Sequence, residues 1–454
     1  MSLLQQETRR IVFVARRMAG ESLRTARAIQ RLDGVTLFGV CEHSLDAGAK
    51  VFFTDVVRLA NAHDIDQLTG ACRGLAEKHG GVDRIVTATE TLLHPAARAS
   101  EILGLPSMSV SIIRRALDKQ CLKTTLERAG INTARDQVLT NSEDARSFVG
   151  KVGFPIVLKP LGGSGALATL LIRSSDQLEL ALELMRPTPE NAVLAEDFLR
   201  GQELCIDTIT IANEPQFSSI CCYRPSILEA LEDPSIQWTC VMPRDMTGDR
   251  YREFIEEGLK AVRALSVGNA MTHMEGFLVE GGRPCFTDAT LRPAGARIGP
   301  MLAFAYDIDP YLAWARAAVD GCFDGPWERK YAVGTVFLRG RGSGLVRQAQ
   351  GIESVSQQAG EFLMESRLPR VGAAKSATYT GDGYITVRHP DTHVVEDVLR
   401  WIAQTVHLTY THPELPVSSR AAVREQWSQR LQYFDKQLNK PAWDDDSMPS
   451  LNHA

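Results

Sequence analysis

Apolar residues near the start of the chain come in short unbroken runs. Ile11–Ala15, Val35–Val40 and Arg84–Ala88 each read as a strand covered on both faces. Helix-like segments separate them, the first capped by Ser22 and running to about Leu32 and another preceding Arg84, and a further helix follows from Thr89-Glu90 to Leu103. This alternation predicts a small parallel α/β unit over residues 1–118. A second unit spans 119–190. Lys119 opens a helix that Gly130 closes, and the strands Phe154–Pro160 and Leu167–Arg173 flank a glycine-rich loop. A third spans 191–325. It holds an apolar run to Leu199, a strand over Cys205–Ile211, an irregular segment over Tyr223–Asp249 and a helix over Arg250–Leu265. From His273 to Val279 polar and apolar residues alternate. A turn at Glu280–Pro284 and a second short run, Cys285–Asp288, complete a β-hairpin. Residues 326–412 read as a separate β-rich unit with strands at Tyr331–Leu338, Gly344–Gln350 and Gly383–Arg388 and a helix at Val394–Thr405. Residues 413–454 read as a polar amphipathic helix followed by an acidic end, Asp444–Ser450, expected to be disordered.

The hairpin carries the chemistry that organises the rest. Strand side chains alternate faces, so Glu275, Phe277 and Val279 share one side. Pairing about the turn sets Glu275 across from Asp288. Two carboxylates about 4 Å apart repel by roughly 4 kcal/mol at an effective dielectric near 20. A cation between them removes that cost, and an all-oxygen pair suits Mg²⁺ held together with phosphates. Arg292 follows four residues later, before Pro293-Ala294-Gly295, and a guanidinium there suits a phosphoryl or carboxylate group. Upstream, a strand ends in Lys159 and the loop Gly162–Ala166 follows. Glycines let backbone N–H groups approach an anion and the lysine adds a point charge. The pattern is neither the GK[ST] phosphate loop nor GxGxxG. Glu196 and Glu203 flank a short link between two β-like runs, a place where main chain meets a base edge and an acid meets a ribose diol. Glu90 follows a strand at the carboxyl edge of the first unit, where open α/β sheets place ligands. Each piece also has a plainer reading as a solvated surface acid, a turn or a first-turn helix residue.

Composition narrows the field. The chain has 454 residues, enough for several cores. A net charge of −5 points away from nucleic acid as a partner. The 9 cysteines are scattered without a CxxC pair, and no apolar run is long enough to cross a membrane or to form a signal segment. A cytoplasmic protein with small-molecule ligands and no membrane partner is expected.

Taken in order, these residues resemble the ATP-grasp superfamily from about Ile11 to Leu408. The spacing of Glu275, Asp288, Arg292 and Gly295 within HxE-(acid)-xxx-Arg-xx-Gly is most similar to the L-amino-acid ligases of the bacilysin type. The resemblance implies a mixed α/β (α+β) fold with an N-terminal parallel unit, two nucleotide-gripping subdomains and an extra C-terminal β-rich one. It implies ATP and Mg²⁺ as cofactors. Lys119 and Lys159 would hold the phosphates, and Gly163, Ser164, Gly165 and Ala166 would close over them. Glu196, Asp197 and the main chain of Phe198 and Leu199 would meet adenine, with Glu203 on ribose. Glu275 and Asp288 would bind metal. Arg292, Pro293, Ala294 and Gly295, with Glu90, Gln237 and Trp238, would meet the acid and amine substrates. A carboxylate–amine ligase working through an acyl phosphate is implied, with a homodimer compatible with it. A bicarbonate-using carboxylase and a silent nucleotide-binding protein are the alternatives. Three departures stand out: Asp288 where Glu is usual, Thr290 where Asn is common, and Gln237 and Cys240 where the ligases tend to carry an acid and a histidine.

Overall fold

The first apolar runs pair as parallel strands. A computed structural model describes residues 8–161, 166, 168–412 and 420–437. β1 (Arg9–Ala15), β2 (Val35–Cys41), β3 (Asp55–Arg58) and β4 (Arg84–Val86) form one sheet in the order β3-β2-β1-β4. Its registered pairs are parallel throughout. Ser22 lies inside the helix Gly20–Gln30 rather than at its cap, which is Ala19. The helix Glu90–Ile102 leaves the carboxyl side of β4, so Glu90 sits in its first turn as the strand-then-helix pattern predicts.

β5 (Asp136–Leu139), β6 (Ile156–Pro160), β7 (Leu170–Ile172) and β8 (Val193–Asp197) form a second sheet, antiparallel, in the order β5-β8-β6-β7. Its core includes Leu139, Leu158, Leu170, Ala195 and, from the far end of the chain, Trp427. The helix Arg420–Gln437 thus lies against this sheet. Residues 413–419 and the expected disordered end, 438–454, lie outside the described residues.

The largest sheet is antiparallel. It contains β9 (Gly201–Ile211), β10 (Glu214–Arg224), β11 (Trp238–Met242), β12 (Ala270–Val279), β13 (Pro284–Thr290) and β14 (Ala332–Leu338). β15 (Ser343–Gln350) and β18 (His407–His412) pair separately, while β16 (Leu363–Arg367) and β17 (Gly383–His389) extend the large sheet. Among the described residues its order is β13-β12-β9-β10-β11-β14-β17-β16. The boundary expected at 326 therefore falls inside one continuous sheet, because β14 pairs with β11 on one side and β17 on the other.

Both faces of the large sheet are covered, and strand alternation divides its residues between two cores. Leu204, Ile206, Met274 and Phe286 meet the helix Asp249–Leu265 through Phe254, Ala261 and Leu265. Cys205, Ile209, Cys221 and Met271 meet the first sheet and the helices Ile298–Tyr306 and Pro310–Ala315. The irregular segment expected over Tyr223–Asp249 contains a helix, Ile227–Glu232, and strand β11. Among the described residues no helix is long and apolar enough to cross a membrane.

The hairpin β12–β13 is as tight as its sequence demands. Gly276 sits where an added Cβ would lie 2.7 Å from the Cys285 carbonyl oxygen and 3.1 Å from the Phe286 ring. Gly276→Ala should therefore force the two strands apart beside Glu275. Overpacking of this kind costs about 1–3 kcal/mol. The expected outcome is a lower denaturant midpoint in urea titration followed by circular dichroism, with an unchanged far-UV spectrum before unfolding.

Candidate active site

The hairpin register sets Glu275 opposite Asp288. The register slips by one residue immediately after Glu275, so Thr287 is the extra residue of a β-bulge. Bulges re-aim side chains next to functional sites. Here Thr287, Asp288 and Glu275 all line one cavity of about 220 Å³ between the second sheet and the large one.

Around Asp288 the charges alternate. Lys119 Nζ lies 2.5 Å from Asp288 Oδ1, and Lys159 Nζ lies 3.2 Å from Oδ2. Lys159 also lies 2.8 Å from Glu196 Oε2, and Lys123 lies 2.9 Å from Glu196 Oε1. Asp136 closes the row, 3.8 Å from Lys123. Burial opposes the charge on Asp288, yet Lys119 and Lys159 hold its carboxyl well below the usual carboxylate range. Burial likewise opposes the Lys159 ammonium, and Asp288 and Glu196 outweigh it and raise its pKa. Glu196 is lowered despite burial by Lys159 and Lys123.

Local structure explains each position. Lys119 and Lys123 are one turn apart on the helix Lys119–Arg128, which Asp118 caps by accepting from the Cys121 N–H. Lys159 is the last residue but one of β6, and Glu196 stands on the neighbouring strand β8. Asp136 is registered opposite Glu196 across β5–β8. Like charges facing each other destabilise a sheet, and Lys123 lies within ion-pair distance of both acids.

Glu275 has a different environment. Its Oε1 lies 3.4 Å from His273 Nε2 and accepts from the Tyr223 hydroxyl at 3.4 Å. His273 Nδ1 meets Asp207 Oδ1 at 3.0 Å. Burial disfavours the imidazolium, but Asp207 overrides it and raises the His273 pKa well above its ordinary value. Glu203 is buried near Glu275 and accepts from the Ile227 N–H at 2.6 Å. Burial and then the Glu275 charge push its pKa up.

At the other end of the cavity, Arg292 Nη2 pairs with Glu90 Oε2 at 3.0 Å, and Nη1 donates to the Pro293 carbonyl at 2.8 Å. Gly295 and Ala296 line the wall. Ala296 and Arg297 both have left-handed backbone, with φ of 48° and 65°. Such conformations cost about 1–3 kcal/mol each and cluster at ligand sites. Ala166, which also lines the cavity, shares the feature, with φ of 53°.

The cavity gathers Glu90, Lys119, Lys159, Ala166, Glu196, Asp197, Phe198, Leu199, Glu203, Glu275, Asp288, Arg292 and Gly295, all singled out in the sequence. Gly163, Ser164 and Gly165 lie outside the described residues. Pro293 gives Arg292 its carbonyl, and Ala294 packs into the core. Gln237 and Trp238 are corrections: neither lines the cavity. Gln237 makes a two-way clasp with the Arg339 main chain at 2.8 and 2.7 Å. Trp238 is fully buried, stacked on Phe337 and edge-on to Tyr223 and Tyr379. The reason is that this stretch is a sheet strand, not an open loop.

Sequence reading passed over Lys123, Asp136, Asp207, Tyr223, Tyr379 and Phe434. For Lys123 a signal existed, its spacing of four from Lys119. The others are brought in by tertiary packing.

The ion row makes a stability prediction. Asp288 and Glu196 both titrate below their unfolded values. Their stabilisation is complete above the ordinary carboxylate pKa of about 4 and is lost as pH falls through the lower folded values. Removing one partner of a buried pair costs about 3–5 kcal/mol. Lys123→Met should lower stability by that order at pH 7 in guanidinium titration, and the gap from the parent should narrow as pH falls toward 3.

No protein-family model matches the chain. It is 25% identical over 245 residues to an alanine–anticapsin ligase of Bacillus subtilis, across 50% of this chain and 52% of that protein. The chain thus spans about half the length of the curated relatives it matches. Its structure is similar to an L-amino acid ligase from Bacillus licheniformis, with a TM-score of 0.71 and 19% identity over 90% of this chain and 100% of that one. It is also similar to the biotin carboxylase domain of a Hydrogenobacter thermophilus 2-oxoglutarate carboxylase, solved with MgADP and bicarbonate. That match has a TM-score of 0.64 and 16% identity, covering 89% of this chain and 91% of that one. With its second and largest sheets closing on one cavity, and with these likenesses, the chain has the ATP-grasp fold and is similar in sequence to the L-amino-acid ligases.

Proposed function

We propose that this protein is an ATP-dependent ligase that joins the carboxylate of an amino acid or related acid to an amine or amino acid. The observation that carries the reading is the meeting of Lys119, Lys159, Glu275, Asp288, Arg292 and Glu90 in one cavity. The lysines supply fixed positive charge to a triphosphate, which competes with Asp288 for the same ammonium groups. Glu196 keeps Lys159 aimed into the cavity. The main chain of Phe198 and Leu199 meets the base, and Glu203 meets the ribose. Glu275 and Asp288 are hard oxygen donors on facing strand positions, a set that fits Mg²⁺. Bound there, Mg²⁺ would neutralise phosphate charge.

The substrate carboxylate oxygen attacks the γ-phosphorus, giving an acyl phosphate and ADP. The amine nitrogen then attacks the acyl carbon, the carbon–oxygen bond to phosphate breaks, and the nitrogen gives up a proton. Arg292 holds the acyl phosphate or substrate carboxyl group, and Glu90 is placed to receive an ammonium beside it. Catalysis here is positioning and charge stabilisation.

Incubation with ATP, Mg²⁺ and paired amino acids should yield ADP, phosphate and an amide product by chromatography and mass spectrometry. AMP and pyrophosphate would overturn the reading, and ATP binding without turnover over a broad screen would favour a silent nucleotide binder. Glu275→Gln and Asp288→Asn should each lower kcat by about 100-fold or more, with circular dichroism unchanged.

A further inference from the structure

We propose that the helix Arg420–Gln437 forms a third wall of the nucleotide site and that Phe434 packs its ring against the base. The inference rests on the ligase reading of the cavity and adds an element that no motif in the chain announces. Val423, Trp427, Arg430, Leu431 and Phe434 recur at spacings of three and four, so they share one helical face.

That face is fixed to both sides of the cavity. Trp427 is 1% exposed within the core of the second sheet, and Val423 and Leu431 pack against the same core. Arg430, also buried, donates to the Thr169 carbonyl just before β7 and pairs with Glu232 at 3.2 Å. Gln426 Nε2 donates to the Leu231 carbonyl at 3.3 Å. Glu232 and Leu231 end the short helix whose first N–H is held by Glu203. The C-terminal helix therefore ties the strand after the glycine-rich loop to the element that orients Glu203.

Phe434 lies one turn beyond Arg430. It is 8% exposed and lines the cavity, and among the described residues it belongs to none of the packed cores. An aromatic ring on a cavity wall is suited to a flat apolar ligand surface. Thr169, which anchors the helix, and Ile227 and Leu228, on the short helix that Leu231 and Glu232 end, line the same cavity. The charged substrate end is built instead from Glu90 after the first sheet and Arg292 after β13. Position and chemistry thus pair Phe434 with the nucleoside and not with the phosphates or the carboxylate.

The test measures binding of ATP, ADP and inorganic tripolyphosphate to the full chain by calorimetry, in the parent, Phe434→Ala and Phe434→Leu. Loss of base–aromatic stacking should weaken ATP and ADP about tenfold or more in Phe434→Ala. The loss should be smaller in Phe434→Leu, which keeps the helix packed, and tripolyphosphate affinity should not change. Equal ATP affinity in parent and variants overturns the proposal and leaves the ligase reading standing. An equal loss of ATP and tripolyphosphate in Phe434→Leu also overturns it, by showing a merely structural role. A parent that binds no adenine nucleotide takes down the ligase reading itself.

Discussion

A row of alternating charges crosses the cleft, and the site depends on it. Asp136, Lys123, Glu196, Lys159, Asp288 and Lys119 follow one another with each neighbour of opposite sign. Lys123, Glu196 and Lys159 are almost wholly buried. None of them is tolerable there alone, since an unpaired buried ion costs several kcal/mol. The row draws on a helix, three strands of the second sheet's layer and the large sheet's hairpin, so its members position one another across the gap. Lys159, near the end of its strand, is held from both sides by acids on two different sheets. Preorganised charge of this kind is what a reaction without a covalent protein nucleophile requires.

The parts of this arrangement that were legible in the sequence are those governed by local rules. The alternation from His273 to Val279 and the Gly281-Gly282 turn made the hairpin legible; the register leaving that turn points Glu275 at Thr287, and the bulge at Thr287 is what brings Asp288 opposite it. Lys159 was legible because a lysine closing an apolar strand is a local feature. What stayed hidden depends on which element lands beside which. β11 lies within the large sheet, and the sequence 237–242 carries no sign that both of its neighbours are strands. Trp238 therefore reads as a loop aromatic when it is core, and Gln237 reads as a ligand when it clasps main chain. Lys123 looks like a solvated helix residue until Asp136 and Glu196 are brought to it.

The unit expected to stand apart after residue 326 is a continuation of the large sheet, and this changes what it does. Its strands β16 and β17 carry Glu365 and Tyr384 to Arg297. Glu365 accepts from the guanidinium, and the Tyr384 ring lies 4.5 Å from it. Glu21, from the helix after β1, meets the same group at 3.4 Å.

Arg297 thus has anchors from both ends of the chain, and the need for them follows from its backbone. Two successive non-glycine residues in left-handed conformation, Ala296 and Arg297, would not persist in an unsupported loop. Charge-assisted bonds and a cation–π contact supply the compensating stabilisation. The strained turn in exchange lets the chain leave β13, fold Arg292 onto Glu90 and enter the helix Ile298–Tyr306 within a few residues. The placement of Arg292 is therefore a property of the whole chain. The first sheet offers its acid, the large sheet its starting point, and the C-terminal strands the hold on the loop that carries it.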